Sequence, residues 1–168
     1  KDGSKTITTS NTIVNEYTTL TSNASSGSTT LNVAASTLNA NGRFSGSLAA
    51  GDLVLIIQMQ GASISTNNNS SYGTVSSYNS AGMYEFARVS ARPNSTSITL
   101  STGLRNSYNN SGKTQVIRVP RYTTLTINSG RSITCPDWDG STGGVVAVEA
   151  TQTVTINGSI NANGKGFR

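Results

Sequence analysis

The densest group of chemically capable side chains is the run Asp137-Trp138-Asp139-Gly140. Two carboxylates beside a glycine supply oxygen ligands of the kind that Ca²⁺ prefers, and the Trp138 indole offers a flat apolar face to a sugar ring. The run also has an ordinary structural explanation, because Asp-Gly favours turns and a tryptophan can cover the open end of a β-core. A structural role, calcium binding and contact with a ligand or partner all stay open here.

Paired acids such as Asp137 and Asp139 also invite comparison with glycosidases, which use two carboxylates. Those carboxylates normally come from separate strands across a cleft, and this chain has only seven acidic residues. It contains no histidine, which excludes Ser-His-Asp and Cys-His nucleophile systems and imidazole zinc sites within the segment. The single Cys135 is predicted to be a small buried side chain. We therefore expect a chain that is not an enzyme, with no catalytic residues, no cofactor and no metal apart from the calcium alternative.

Tyrosines in long polar loops, Tyr72, Tyr78, Tyr84 and Tyr108, form a second group of candidates, and Tyr72, Tyr78 and Tyr108 are the foremost of them. The stretch 61–81 is rich in Ser, Asn and Gly and is predicted to be a long surface loop or a hairpin. Tyrosines among Ser, Gly and Asn resemble surfaces that bind through adaptable polar and aromatic contacts. They predict contact with a partner protein or a glycan, and the alternative is that the rings pack over the ends of a β-barrel.

The charge distribution argues against a nucleic-acid partner, and the hydropathy argues against a membrane-spanning segment. The net charge is +5, but charged residues make up only 11% of the chain and the basic residues are scattered singly. Nucleic-acid binders more often carry a dense basic stripe, so we expect no nucleic-acid partner. The longest apolar run, 53–57, is too short to span a membrane.

The start Lys1-Asp2-Gly3-Ser4 suits a mature chain whose export signal has been removed, and we expect an extracellular or cell-surface location.

The elements that must position these residues are strands. Serine, threonine and asparagine number 26, 24 and 18 of the 168 residues, and Thr, Val and Ile recur with period two. This pattern favours many short strands joined by polar turns, and hence an all-β protein. The apolar run 53–57 predicts a strand that is buried on both faces.

One strand is written twice near the C-terminus. The segment 124–128, Thr-Leu-Thr-Ile-Asn, returns as Thr-Val-Thr-Ile-Asn at 153–157, a shift of 29 residues. A repeat of this length is typical of stacked β-units in which each rung covers the apolar face of its neighbour. We predict an extended lead-in over 1–25, a small antiparallel β-barrel or sandwich over 26–120, and the first coils of a β-solenoid over 121–168. We expect the solenoid to continue beyond the last residue, because an uncovered rung is an aggregation hazard.

Two resemblances follow from these patterns. The barrel region resembles a module of bacterial and phage surface proteins, through 27–33, Gly51-Asp52 with its aliphatic run, Tyr84-Glu85 with Val89, 98–100 and 116–119. The tail from 124 to 168 is similar to the first coils of large secreted adhesins of Bacteroidota, including gliding-motility adhesins exported by the type IX system. Together, the two resemblances imply a non-catalytic N-terminal module that docks a long filament to an outer-membrane or cell-surface partner. The alternatives are the non-catalytic end of a β-helix enzyme acting on polysaccharide, and a phage tail-fibre segment.

Overall fold

The computed structural model describes residues 2–167, and every regular element in that range is a β-strand. In chain order the strands are β1 (Lys5–Ile7), β2 (Thr12–Ile13), β3 (Glu16–Thr19), β4 (Thr30–Asn32), β5 (Leu53–Gln58), β6 (Ser63–Ile64), β7 (Val75–Ser77), β8 (Tyr84–Asn94), β9 (Ser97–Leu100), β10 (Thr114–Val119), β11 (Arg121–Tyr122), β12 (Leu125–Ile127), β13 (Ser132–Thr134), β14 (Glu149–Ala150), β15 (Val154–Ile156) and β16 (Ser159–Ile160). The predicted all-β class is confirmed.

Six of the strands form one antiparallel sheet in the order β3-β10-β5-β8-β9-β4. Its two outer strands meet just beyond their ends, where Leu20 bridges Val33. The Thr21 amide donates to the Asn32 carbonyl at 2.9 Å, and the Ala34 amide donates to the Thr19 carbonyl at 3.0 Å. The sheet therefore curls until its edges touch, and the predicted small antiparallel barrel is confirmed.

The β5 strand is buried on both faces, as its unbroken apolar run predicts. Val54 and Ile56 point into the barrel, where they join a core that includes Val116 of β10. Leu53 and Leu55 point outward into a second apolar cluster, which lies between the barrel and the rest of the chain. The barrel thus uses one of its outer faces as an internal interface.

The strands β1, β2 and β11 to β16 pair in parallel and build a solenoid. The strands β1, β12 and β15 form one parallel ladder, and β2, β13 and β16 form another. A shorter ladder joins β11 to β14. Ile7, Ile127 and Ile133 are buried between these ladders and form the solenoid core.

The duplicated strand occupies equivalent places in successive rungs. Leu125 pairs with Val154 and Ile127 pairs with Ile156, so the structure reproduces the 29-residue shift in register. Ile127 is fully buried, whereas Ile156 is 51% exposed. The last rung therefore covers the one before it and leaves its own aliphatic side chains uncovered.

The first 25 residues differ in placement from the lead-in that the sequence suggests. β1 and β2 form the first rung of the solenoid, and β3 is an outer strand of the barrel sheet. The barrel, from β3 to β10, lies in the chain between the first and second rungs. Sequence periodicity does not reveal this insertion, because the partners Lys5 and Leu125 are 120 positions apart in the sequence.

The stretch 61–81 forms a two-stranded hairpin from β6 and β7, which pairs antiparallel and stands apart from the barrel sheet. Both strands are exposed along their whole length. A helix long and apolar enough to cross a membrane is absent from residues 2–167.

Candidate interaction surface

Three polar side chains, two from the barrel sheet and that of Asn15 just before β3, hold the segment 143–147 as a neighbouring strand would. The Gln115 amide accepts from the Gly143 amide and donates to the Gly143 carbonyl, both at 3.1 Å. The Asn15 amide repeats this pairing at Ala147, accepting from its N–H at 3.0 Å and donating to its carbonyl at 2.6 Å. Between them, the Tyr17 hydroxyl donates to the Val145 carbonyl at 2.7 Å.

These contacts fall on every second residue of the segment, which is the period of a β-strand. Asn15 and Gln115 are fully buried, so their amides replace the backbone partners that buried N–H and C=O groups require. Burial also raises the pKa of the Tyr17 phenol, which keeps its hydroxyl protonated as a donor. We call these three side chains the amide clamp.

The clamp acts together with an apolar interface. Ile117 and Val119 of β10 pack with Leu53, Leu55 and Ala147 in one buried cluster. On its other side the segment contributes Val146 and Val148 to the solenoid core. The segment 143–148 is therefore buried from two sides, and it joins the barrel and the solenoid into one packed body.

The buried guanidinium of Arg118 connects strand β10 to the loop that precedes β5. The Arg118 guanidinium forms an ion pair with Asp52 at 2.8 Å, donates to the Gly46 carbonyl at 2.7 Å and lies 3.9 Å from the centroid of the Phe44 ring. Burial lowers the pKa of Arg118, and the charge of Asp52 opposes that effect. Asp52 also accepts from the Ala49 amide at 2.9 Å, so the Gly-Asp turn and the ion pair share one carboxylate.

The run around Trp138 does not bring its two carboxylates together. Asp137 forms an ion pair with the Lys165 ammonium at 2.6 Å. Asp139 instead accepts from the backbone amides of Ser141 and Thr142 at 2.8 and 2.7 Å, which closes a turn. These amides, that of Thr142 first, lower the pKa of Asp139. In the described chain, no group of three or more acidic, cysteine or histidine side chains is placed to hold a metal ion.

The Trp138 side chain packs against other residues of the solenoid. Its ring meets Phe167 edge to face, with centroids 5.6 Å apart, and its amide donates to the Lys165 carbonyl at 2.9 Å. These contacts give Trp138 a structural role between successive rungs. A cavity of about 240 Å³ borders Asp137, Trp138, Gly164 and Gly166, so a ligand contact at this place stays a prediction.

The three foremost candidates among the loop tyrosines separate into two groups. Tyr72 and Tyr78 are 71% and 70% exposed, on and beside the β6–β7 hairpin. Tyr108 is 1% exposed, and its hydroxyl donates to Glu85 at 3.1 Å. Tyr108 is therefore not the exposed contact residue that its loop suggests. Its ring packs in the barrel core, and burial raises the pKa of its phenol.

All seven Asp and Glu side chains are engaged in structural contacts. Four of them accept from backbone amides of turns or loops: Glu16 from residue 41, Asp52 from residue 49, Glu85 from residues 105 and 106, and Asp139 from residues 141 and 142. Glu149 pairs with Arg121 on the adjacent rung. The complete set is Asp2, Glu16, Asp52, Glu85, Asp137, Asp139 and Glu149, bound in turn to Arg121, Asn41 with Arg43, Arg118, the 105–106 loop, Lys165, the 141–142 turn and Arg121.

Sequence reasoning counted Tyr84 among the loop tyrosines and missed Phe86, the other outward aromatic residue of β8. Tyr84 and Phe86 lie on the outer face and are 60% and 54% exposed. Their i, i+2 spacing in an apolar strand was the available signal, but it does not say which face of the strand is covered. The buried Asn15 and Gln115 carried no comparable signal, because polar residues are abundant throughout this sequence.

No protein-family model matches the sequence, and no curated protein matches it. Among solved structures, tailspike gp61 of Pseudomonas phage phi297 is similar at 12% identity with a TM-score of 0.42, covering 88% of this chain and 20% of that one. Tailspike gp49 of Pseudomonas phage LKA1 is similar at 16% identity with a TM-score of 0.37, covering 80% of this chain and 27% of that one. The Gp54 tailspike of Acinetobacter baumannii bacteriophage AP22, in complex with capsular saccharide, is similar at 13% identity with a TM-score of 0.41, covering 94% of this chain and 27% of that one. The chain spans between a fifth and three tenths of the length of these tailspikes.

Proposed function

We propose that this chain is a non-catalytic head of an extracellular β-solenoid fibre or spike, which mounts a small barrel rigidly on the first rungs and presents loops to a cell surface. The observation that carries the proposal is the amide clamp, in which Asn15 and Gln115 fix the barrel to segment 143–147 from both ends. Independent domains joined by a flexible linker would not need buried side-chain amides that bond to the backbone of a neighbouring segment.

The state of the carboxylates supports the non-catalytic part. A polysaccharide hydrolase or lyase needs groups that are free to exchange protons, and a glycosidase needs two carboxyl groups facing each other across a cleft. Here the seven carboxylates are taken up by turns, ion pairs and loop amides. Asp137 and Asp139 point to different partners, Lys165 and the 141–142 turn.

The exposed hairpin supports the binding part. Tyr72 and Tyr78 offer aromatic faces among small polar residues, and stacking on an apolar sugar face or on a protein surface suits them. The partner would be a cell-surface or outer-membrane protein, or a surface glycan. The gliding-adhesin and tail-fibre interpretations both place such a head where a fibre meets a cell. The proposal is limited to this shared role.

Retention of the fluorescently labelled chain on bacterial cells tests this proposal. We expect saturable retention on cells of some surface types, compared between capsulated and capsule-free strains. Replacing Tyr72→Ser together with Tyr78→Ser should weaken retention, whereas Tyr84→Ser together with Phe86→Ser, an equal loss of exposed aromatic residues elsewhere, should not.

Two results would overturn it. The binding part fails if no cell type across a broad panel retains the chain. The non-catalytic part fails if the purified chain releases reducing ends or unsaturated sugars from capsular polysaccharide.

A further inference from the structure

A polar cleft lies where the β6–β7 hairpin joins the barrel. Its lining comes from the end of β5, the turn that follows β7 and the loop that precedes β10. The side chains that line it are those of Gln58, Asn79, Ser80, Asn109 and Ser111, together with two glycines. Its volume of about 470 Å³ lies within the range of about 300 to 1,000 Å³ that is typical of small-ligand sites. We call it the hairpin cleft.

A fully buried glutamine holds the cleft in shape. The Gln58 side-chain nitrogen donates to the Gln60 carbonyl at 2.8 Å and to the Asn79 carbonyl at 2.9 Å. The oxygen of the same amide accepts from the Asn109 backbone amide at 2.8 Å. One side chain therefore ties the turn after β7 to the loop before β10, and these three bonds fix the two segments relative to each other. The cleft is formed before a ligand arrives, which favours binding.

Two glycines are required beside Gln58. A Cβ atom at Gly112 would collide with the Gln58 amide, and a Cβ atom at Gly61 would lie 2.9 Å from its nitrogen. Gly61 also has a φ of +131°, which other residues rarely adopt. A side chain at either position would displace the Gln58 amide and the segments that it ties together.

Three side chains in the lining are available to a ligand. In the part of the chain that the structure describes, the hydroxyls of Ser80 and Ser111 and the side-chain amide of Asn109 bond to no other residue. The backbone that carries Asn109 is nevertheless held, because its carbonyl accepts from the Thr114 hydroxyl at 2.7 Å and its N–H donates to Gln58. These polar groups are thus positioned by the fold without being used by it.

The chemistry of the lining indicates the class of ligand. Hydroxyl and carboxamide groups both donate and accept hydrogen bonds, and the hydroxyls of a sugar do the same. No charged side chain occurs among the described residues that line the cleft, so an anion would find no cation there. An apolar ligand would leave the polar groups buried and unpaired. Tyr78, which is 70% exposed, directly precedes Asn79 in the chain, and an aromatic ring offers a flat face to a sugar.

We propose that the hairpin cleft binds one uncharged sugar residue of a surface glycan, whose hydroxyl groups bond to Ser80, Asn109 and Ser111. The inference rests on the proposed function, because it places recognition at the base of the hairpin that presents Tyr72 and Tyr78. It also selects a glycan rather than a protein as the partner. Since the described lining holds no carboxylate, the cleft binds the sugar without cleaving it.

The probes are the methyl glycosides of glucose, galactose, mannose, rhamnose, N-acetylglucosamine and N-acetylgalactosamine, with that of glucuronic acid as the charged comparison. We expect at least one uncharged glycoside to bind saturably at millimolar concentrations in saturation-transfer NMR. The same glycoside should shift the signal of the Asn109 side-chain amide, a readout that needs no variant. The glucuronic acid glycoside should bind more weakly than the best uncharged one.

A pair of variants locates the binding. Ser80 has a φ of +69°, which glycine adopts readily, so Ser80→Gly removes the hydroxyl without straining the turn. Combined with Asn109→Ala, it should weaken the binding at least about tenfold, because two hydrogen bonds to the sugar are lost. The control, Ser70→Gly with Asn68→Ala, removes the same two groups from the exposed loop between β6 and β7 and should leave the affinity unchanged.

Three results would overturn the inference: no saturable binding of any uncharged glycoside, tighter binding of the glucuronic acid glycoside, or equal affinity in the cleft variant and its control. Cell retention separates this inference from the proposed function. If cells retain the chain while every glycoside fails to bind, the proposed function stands with a protein partner and the inference is wrong. If a glycoside binds in the cleft while no cell type retains the chain, the inference is supported and the proposed function is wrong.

Discussion

The side chain of Asn15 pairs with the backbone of Ala147 as a neighbouring strand would, across 132 residues of sequence. Its Nδ2 donates to the Ala147 carbonyl at 2.6 Å, and its Oδ1 accepts from the Ala147 amide at 3.0 Å. The same Nδ2 donates to the Arg118 carbonyl at 3.0 Å, so one buried amide joins the first rung, the barrel and the segment before β14. This contact explains how a barrel inserted between two rungs keeps a fixed position.

Replacing Asn15→Ala should lower the free energy of unfolding by about 2 to 4 kcal/mol, because it removes the side-chain partner of the Ala147 amide and carbonyl. The measurement is urea unfolding followed by circular dichroism. Asn32→Ala is the matched control, since its amide meets only the Ser22 hydroxyl at an exposed site. The control should change stability by no more than about 0.5 kcal/mol. Equal effects of the two variants would contradict the clamp.

Replacing Asp52→Asn should cost about 3 kcal/mol, because it removes the ion-pair partner of the buried Arg118 guanidinium. Asp137→Asn breaks an ion pair of similar length, but the Asp137 side chain is 78% exposed. An exposed pair contributes between about 0 and 1 kcal/mol, so this variant should be nearly neutral. Thermal and urea unfolding of both variants gives the comparison. Similar losses would mean that Arg118 is stabilised mainly by Phe44 and the Gly46 carbonyl.

The Asp139 carboxyl should titrate below the ordinary Asp pKa of about 3.9, because the Thr142 and Ser141 amides stabilise its charged form. A folded pKa below the unfolded one adds stability above about pH 4, and this gain is lost as pH falls through the lower folded pKa. Carboxyl chemical shifts in NMR measure the titration. A peptide of residues 135–144 is the unfolded control and should titrate normally. A midpoint in the folded chain equal to that of the peptide would exclude the turn contact.

Calcium should not change the stability of the chain, because Asp137 and Asp139 are directed to Lys165 and to the 141–142 turn. Thermal unfolding in millimolar Ca²⁺ and in EDTA should give the same midpoint. A higher midpoint in Ca²⁺ that disappears in Asp137→Asn would restore the calcium interpretation of this run. A midpoint that Ca²⁺ still raises in Asp137→Asn would mean that the ion binds elsewhere on the chain.

The Cys135 thiol should react with a disulfide reagent only after unfolding. It is fully buried, as the sequence suggests, and burial raises the pKa of its thiol. Release of the coloured thiolate product should therefore be slow in native buffer and fast in denaturant. Fast reaction of the native chain would mean that the packing around β13 opens readily. Cys135→Ser should abolish the signal under both conditions.

Much of the fold could be predicted from local patterns. Period-two alternation identified strands such as β4 and β12, and the 29-residue shift identified the rung register that pairs Leu125 with Val154. The candidate site was less accessible. Loop composition grouped Tyr108 with Tyr72 and Tyr78, although only the fold decides that the Tyr108 ring lies inside the barrel. The outward aromatics of β8 and the amides of Asn15 and Gln115 gained their meaning only from what lies opposite them.

The sequence by itself determined the strand content, the repeat and the absence of histidine chemistry, because each depends on residue types and on spacing along a few neighbouring positions. The tertiary structure decided the rest. It alone placed β1 beside β12, inserted the barrel between the first two rungs, and aimed Asn15 at Ala147. Such partners are more than a hundred residues apart, and no local periodicity specifies a contact whose energy is gained only when the whole chain has closed around it.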